Sequence, residues 1–398
     1  MNLNYPYFNK STLKKVQRVL KSGRVNYWTG NECKYFEKEF SNYHNLKYSI
    51  AVSNGSVALE LSLKSLNLKK NDCVIVTPRS FIISASCVLN LGLTPIFADV
   101  DTNGNLSIDG IKKVYNKNVK AIIVVHLNGL SCDLDPILKF VKKNHVYLIE
   151  DCSQAHGASY KGKKVGSFGH LSTWSFCQDK IISTGGEGGM ISTNNKKLWS
   201  RLWSLKDHGK NYKRILNKNK NNGFKWLHDH LGSNYRMTEM QATIGREQLK
   251  SLDKQIQKRN SIVKLYLNIL KDFYLKYDIL KKPNFKCLES INKKKLRNDK
   301  FNVNAFYRLN LYINKDKISQ KFFLKTLNKN KINCGVGSCP EIYREKIFKK
   351  LKYYPKKRLP NAKLLGETSI TFPINPYKSL LKIKKEIFFI KHLLGKYV

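Results

Sequence analysis

VYLIEDCSQAHGASYKGKKVGSFGHLSTWSFCQDKIISTGGEGGMISTN, residues 146–194, is the stretch on which the fold turns. It reads as a strand ending in an acid (Val146 to Asp151), a second strand (Leu171 to Phe176), a lysine just beyond it (Lys180), and a glycine-rich turn (Gly185 to Gly189) feeding a third strand. Strand ends carry the loops where α/β proteins place their chemistry, and two of them here deliver a carboxylate and a lysine. Glu150 and Asp151 are consecutive and so point to opposite sides of their strand, which leaves one free to be solvated while the other is aimed into a site.

Upstream, strand and helix alternate. An amphipathic helix (Ser11 to Lys21) and a second helix (Cys33 to Tyr43) precede a strand at Tyr48 to Val52, which runs into Asn54-Gly55-Ser56. The following VALELSLKSLNL alternates like a strand at Val57, Leu59, Leu61 and Leu63, yet its twelve residues exceed the usual strand and are rich in Leu, Ala and Glu, so it reads as a helix. Strand, small-residue turn, helix is a geometry that holds anions on free backbone N–H groups. Strands at Cys73 to Thr77, Pro95 to Asp99, Ala121 to His126 and Tyr147 to Asp151 are separated by helices at Ser80 to Leu91, Ile108 to Tyr115 and Asp135 to Lys143. That rhythm predicts βαβ units and an α/β fold whose central sheet is mostly parallel and flanked by helices. A helix over Lys196 to Lys206 and a long one from Thr238 to Lys271 close this large domain. Beyond about residue 275 a strand-like Ala305 to Ile313, a helix over Lys317 to Asn328 and a last helix at Leu380 to Leu394 predict a smaller α+β domain. The division is placed at 1–260 and 261–398, with the N-terminal twenty or so residues packing on the small domain.

The 398 residues carry a formal charge of +45, which would ordinarily suggest nucleic acid or an anionic surface. The excess is lysine spread over almost every helix face and accompanied by asparagine. The denser runs, Lys293 to Lys295 and Lys210 to Lys220, hold one aromatic (Tyr212) between them and read as solvated loops. Nine scattered cysteines include no Cys-x-x-Cys pair, so no metal site is expected and the thiols read as reduced core residues. With no signal peptide and no apolar run long enough to span a bilayer, a soluble cytoplasmic protein is expected.

Lys180 is one lysine among many and is selected by its context, between the apolar strand STWSF and a flexible glycine turn. A lysine that must act as a free amine wants partial desolvation or cationic neighbours to lower its pKa. Paired with Asp151, it fits pyridoxal phosphate, which needs a lysine for its Schiff base and, in one common arrangement, an acid facing its pyridinium nitrogen. Ser53 to Ser56 would cradle the phosphate, and Phe81 could stack on a flat ring. The GGEGG turn lacks the spacing and the strand-turn-helix setting of a dinucleotide fingerprint.

Several ordered motifs bear on this: NYWTGNECKYFEKEF, VSNGSVALELSL, TPRSFIISASCVLNLGLTPIFADVD, VVHLNGLSCDLDPI, IEDCSQAHGASYKGKKVGSFG, SFCQDKIISTGGEGGMI, LKDHG and LGSNYRMTEMQATIGREQL. Together they resemble the DegT/StrS type of sugar-nucleotide aminotransferase, a fold type I pyridoxal-phosphate family. The likeness runs from about residue 23 to 260 and thins beyond 275 to fragments such as LPNAKLLGETSITFPINP. The resemblance implies that Lys180 is the Schiff-base lysine, that Asp151 faces the pyridine nitrogen, and that Gln154 lies beside the ring. It further implies that Phe81 stacks on the ring and that Gly55, Ser56 and Ser175 hold the phosphate. Asn234 and Arg236, in the NYR segment, would serve the neighbouring subunit's site, which implies a homodimer with shared active sites. The implied reaction carries an amino group from an amino-acid donor, glutamate, to a nucleotide-linked keto-sugar for surface-glycan or amino-sugar biosynthesis. The first competing reading is a pyridoxal-phosphate sugar dehydratase or regulator of the same fold. Relatives with that dehydratase activity replace the lysine with histidine, so Lys180 argues against it. A basic nucleic-acid-binding protein is the other alternative, and it lacks the clustered Arg and aromatic residues it would need.

Overall fold

The computed structural model describes residues 5–216, 226–281 and 301–398; Cys287, Lys293 to Lys295 and the end of the Lys210 to Lys220 tract lie outside them. Seven strands build the central sheet: β1 (Tyr48–Val52), β2 (Cys73–Val76), β3 (Thr94–Phe97), β4 (Val119–Val125), β5 (Tyr147–Asp151), β6 (Leu171–Ser175) and β7 (Gly189–Thr193). Their spatial order is β1-β7-β6-β5-β4-β2-β3. Strands β6, β5, β4, β2 and β3 are parallel, while β7 runs antiparallel to both of its neighbours. The α/β, mostly parallel sheet expected from the sequence is therefore present.

A parallel sheet covered on both faces needs strands that are apolar on both sides. β4 shows how its sequence meets that demand: Ile122 and Val124 enter one core, Ala121 and Ile123 the other. The first core is roofed by Cys33, Phe36 and Phe40 of helix Glu32–His44 and by Leu134, Ile137 and Val141 of helix Leu134–Asn144. The second packs helices Gly55–Ser65, Ile83–Asn90 and Lys196–Lys206 against the opposite face. A third core joins Ile262, Val263 and Tyr266 to the two-stranded antiparallel sheet of Arg308–Tyr312 and Ser369–Pro373, with helices Gln320–Lys329 and Leu380–Gly395 outside it. Among the described residues no helix is long and apolar enough to cross a membrane.

The strand expected at Ala305 to Ile313 is shorter, at Arg308–Tyr312, the helix expected at Lys317 to Asn328 starts at Gln320, and two further differences have a visible local cause. The single helix from Thr238 to Lys271 is instead Glu239–Lys250 followed by Leu252–Ile269, with a short turn of helix at Lys271–Leu275. At the break the Ser251 N–H and hydroxyl both donate to the Gln248 carbonyl, a local bond that competes with the helical ladder while leaving the apolar periodicity untouched. The helix expected from Ser80 begins at Ile83, because Ser80 is extended and bridges to Cys339. Phe81 is thereby left in a loop.

The other correction concerns Glu150, which is not solvated but fully buried on the face opposite Asp151. Its carboxylate accepts the Gly166, Phe168 and Gly169 backbone N–H groups at 2.8, 2.8 and 2.6 Å. His126 Nδ1 accepts from the Cys132 N–H at 3.1 Å, so its Nε2 carries the proton that is donated to Glu150 at 3.0 Å. Glu150→Ala strands three backbone donors and a histidine in the core and should lower unfolding stability by about 3–5 kcal/mol, read from denaturant curves. A loss below about 1 kcal/mol would show that the buried carboxylate does not hold the 166–169 loop.

Candidate active site

The C-terminal ends of β2, β5 and β6 open into one cavity of about 600 Å³, the size of a small-molecule site. Gly55, Ser56, Phe81, Asp151, Gln154, Ser175 and Lys180 all line it, which brings together seven of the nine residues singled out in the sequence.

One wall is the start of helix Gly55–Ser65. Asn54 caps it, its side chain accepting the Val57 N–H at 2.9 Å, so the Gly55 and Ser56 amides are the donors left at the helix mouth. A Cβ at Gly55 would fall 2.6 Å from the Ser175 Cβ, and one at Gly189 would fall 2.3 Å from the Asn54 carbonyl oxygen. Glycine at both positions is what lets the helix start sit against the ends of β6 and β7. Together with the Ser56 and Ser175 hydroxyls this is an anion cradle.

Asp151 forms the floor. It is 4% exposed; its Oδ2 accepts from the Ser84 hydroxyl at 3.1 Å and its Oδ1 from the Ser153 N–H at 3.1 Å. These bonds orient the carboxylate as a hydrogen-bond acceptor toward the cavity. Gln154 is fixed beside it, Oε1 accepting the Asn128 N–H at 2.8 Å. Phe81 is 64% exposed, so it is no core residue; its loop is pinned by the Ile342 N–H donating to the Pro78 carbonyl at 2.8 Å. An exposed aromatic ring, a buried carboxylate, an amine and an anion cradle lining one cavity fit pyridoxal phosphate group by group.

Lys180 rises from a turn closed by its N–H on the Cys177 carbonyl at 3.0 Å. Its Nζ lies 3.0 Å from Asp179 Oδ1 and 5.2 Å from the Tyr307 ring centre. Tyr307 donates its hydroxyl to Asp179 Oδ2, and Arg308 Nη2 lies 3.3 Å from the same oxygen. Beneath the lysine, Tyr5 donates to the Lys180 and Ile181 carbonyls, and buried Arg259 reaches Tyr5 at 3.1 Å and the Phe306 carbonyl at 3.2 Å. The N-terminal segment and the strand at Arg308–Tyr312 thus brace the lysine loop from two sides.

The electrostatics run against the sequence-based expectation of a lowered lysine pKa. Burial does push the Lys180 amine down, but the Tyr307 oxygen and the Asp179 carboxylate outweigh it and the pKa is raised. Tyr307 is itself pushed up, chiefly by burial, so it is neutral at neutral pH and Asp179 is the anion that counts there. Burial also raises Asp179, but Lys180, the Tyr307 hydroxyl and Arg308 more than offset it and hold the carboxyl below its usual range.

Asn234 and Arg236 do not line the cavity of their own chain. The Tyr235 carbonyl between them accepts the Ser53 N–H at 2.9 Å, beside the cradle, and Arg236 Nη1 pairs with buried Asp207 at 2.7 Å. The cavity residues that sequence reasoning passed over include Ser84 and Ser153, which hold Asp151, and Asp179, Glu187, Tyr307, Arg308, Gly337 and Ser338. Asp179 and Glu187 flank the lysine in sequence and carried a signal; Tyr307, Arg308, Gly337 and Ser338 lie more than a hundred residues further on. His126, Glu150 and Cys152 bring three possible metal-ligand atoms within 4.8 Å, but both Glu150 oxygens and both His126 nitrogens are already taken by hydrogen bonds.

The chain is similar to known proteins along most of its length. The chain is 39% identical over 238 residues to GDP-perosamine synthase of Escherichia coli O157:H7, an alignment covering 60% of this chain and 62% of that enzyme. The stretch matched is thus less than two thirds of the relative's own length. Among solved structures, an aminotransferase from Psychrobacter cryohalolentis superposes over all of both chains with a TM-score of 0.93 and 40% identity. An E. coli GDP-4-keto-6-deoxy-D-mannose-3-dehydratase with bound hydrated PLP superposes over 99% of this chain and 100% of that one, with a TM-score of 0.83 and 26% identity. The profile of the DegT/DnrJ/EryC1/StrS aminotransferase family matches residues 6–385, well past the point where individual motifs thin out, and the chain belongs to that family.

Proposed function

We propose that the protein is a pyridoxal-phosphate-dependent transaminase that moves an amino group from glutamate to the keto carbon of a nucleotide-linked sugar. The setting is surface-glycan or amino-sugar biosynthesis in the cytoplasm. The observation that carries this reading is the meeting of Lys180, Asp151, Phe81 and the Gly55–Ser56–Ser175 cradle in a single cavity. Two of the relatives named above add weight, since their names carry GDP-linked sugars.

Bound pyridoxal phosphate supplies an aromatic ring that draws electrons away from the carbon bearing the transferred nitrogen. Gly55, Ser56 and Ser175 would hold its phosphate, and Phe81 would cover one ring face. Asp151 would accept a hydrogen bond from the ring nitrogen and favour its protonated form. Gln154 steadies the ring edge. Lys180 would tether the cofactor and, once the donor's amine has displaced it, its freed Nζ would take a proton from the donor carbon in one half of the cycle and return one to the sugar carbon in the other. The cofactor part spans residues 1–260, and 261–398 close the far wall through Tyr307, Arg308, Gly337 and Ser338.

The working unit is a homodimer in which Asn234 and Arg236 complete the neighbour's site. Their position beside, and outside, their own cavity supports this.

Purified protein given pyridoxal phosphate should turn yellow, and glutamate should replace the visible band by the shorter-wavelength band of pyridoxamine phosphate. Lys180→Ala should not form the yellow band, and Asp151→Asn should keep the band but slow its conversion by about a hundredfold or more, since the ring then loses its charged partner. A protein that stays colourless contradicts the reading. Sharing of sites has its own test: inactive Lys180→Ala and Arg236→Ala chains, mixed and reassociated, should recover about a quarter of the intact sites, because only the hybrid dimer holds one whole site. Absence of any recovery, with exchange verified, would rule out the shared arrangement.

A further inference from the structure

Residues next to each other in an extended chain point apart, yet Asp179 and Lys180 place Oδ1 and Nζ 3.0 Å from one another. The turn closed by the Cys177 carbonyl folds the two side chains together. Asp179 does not depend on the lysine alone. Its other oxygen takes the Tyr307 hydroxyl and lies 3.3 Å from Arg308 Nη2, while Arg308 Nη2 also donates to the Tyr307 oxygen at 3.0 Å. The two partners are supplied by a strand more than a hundred residues away, whose approach is set by Arg259 gripping the Phe306 carbonyl.

An amine that works as acid and base alternates between charged and neutral forms. A carboxylate paired with that amine only would lose its partner in every cycle, and a half-buried unpaired charge is destabilising. Here Tyr307 and Arg308 retain Asp179 when the amine is neutral. We propose that Asp179 is a positioning residue: it aims Lys180 into the cavity and is the counter-charge against which that amine gains and loses its proton. This rests on the reading of Lys180 as the reacting lysine.

Other groups surround the amine and must be counted. On its own loop these are Cys177 and Glu187, and across the cavity Asp151. His156 lies beneath, where burial and neighbouring cations hold its pKa well below the usual value, so it is neutral. Tyr5 contacts the lysine backbone, not Nζ, and burial lifts its phenol to about 12, which also leaves it neutral. Among the described residues, Asp179 is the only carboxylate bonded to Nζ.

The test uses protein free of cofactor and a small acylating reagent, with modification at Lys180 read by peptide mass spectrometry across a pH series. The remaining lysines serve as internal standards. Asp179→Asn should lower the midpoint for Lys180 and raise its labelling near neutral pH by about tenfold, the usual effect of removing one close opposite charge. Asp179→Glu should return the midpoint toward that of the parent. Arg308→Gln, which removes a competing cation from the carboxylate, should move it the opposite way. Asp179 is half exposed at its side chain, so the substitution does not threaten folding. An unchanged midpoint in Asp179→Asn overturns the proposal, as does a downward shift shared by Asp179→Asn and Arg308→Gln, which would mean a loosened pocket. Because the reagent is not pyridoxal phosphate, failure of the cofactor to bind would sink the functional reading without affecting this measurement.

Discussion

Everything in the site hangs from two consecutive acids at the end of β5. Strand geometry sends Glu150 and Asp151 to opposite faces of the sheet, and the protein treats the faces differently. Below, Glu150 is consumed by structure: four donors converge on its two oxygens and tie the 166–169 loop and His126 to the underside of the sheet. Above, Asp151 keeps accepting capacity for a ligand. A buried carboxylate is tolerable only when its lone pairs are satisfied, and this requirement fixes the register of β4, β5 and β6 beneath the cavity. Asp151 stands level with Val125, the last residue of β4, on one side and with Thr173 on the other, so β6 runs two residues further and carries Ser175 past the acid into the cavity.

The cavity is then completed by pieces from far along the chain. The sheet supplies the cradle, the floor and the lysine loop. The strand at Arg308–Tyr312 supplies a wall, and Arg259, 1% exposed, joins that strand to Tyr5 and to the Ile374 carbonyl. A guanidinium with its fixed fork is suited to gripping several carbonyls at once. The lysine is therefore held at its backbone while its amine faces a charged network, an arrangement suited to keeping a reacting group within reach of the proposed cofactor position.

Much of this was legible in the sequence. β1 and β5 fall where their residues indicate, because each holds a short apolar core, Ile50 to Val52 and Leu148 to Ile149, within the length of a strand. The helix at Gly55–Ser65 emerged from composition even though its leucines alternate. Seven of the nine candidate residues meet because they sit at strand ends, where topology alone brings them together. What remained hidden depends on distant chain. Alternation shows that Glu150 faces away from Asp151, but not that the 166–169 loop covers it. The sign of the Lys180 shift depends on Asp179, whose ionised state is supported by Tyr307 at a separation of 128 residues. Ser251 breaks a helix without breaking its periodicity, so no pattern of apolar residues could show it.

The central claim is that one lysine, among dozens, is built to bond pyridoxal phosphate. Incubating the protein with the cofactor, reducing with borohydride and mapping the peptides tests it directly, since reduction makes the linkage permanent. The account predicts one cofactor mass on the peptide carrying Lys180, formed at low cofactor concentration and blocked when Asp151 is replaced by a bulky residue. Label spread over surface lysines, with none favoured at Lys180, would contradict it.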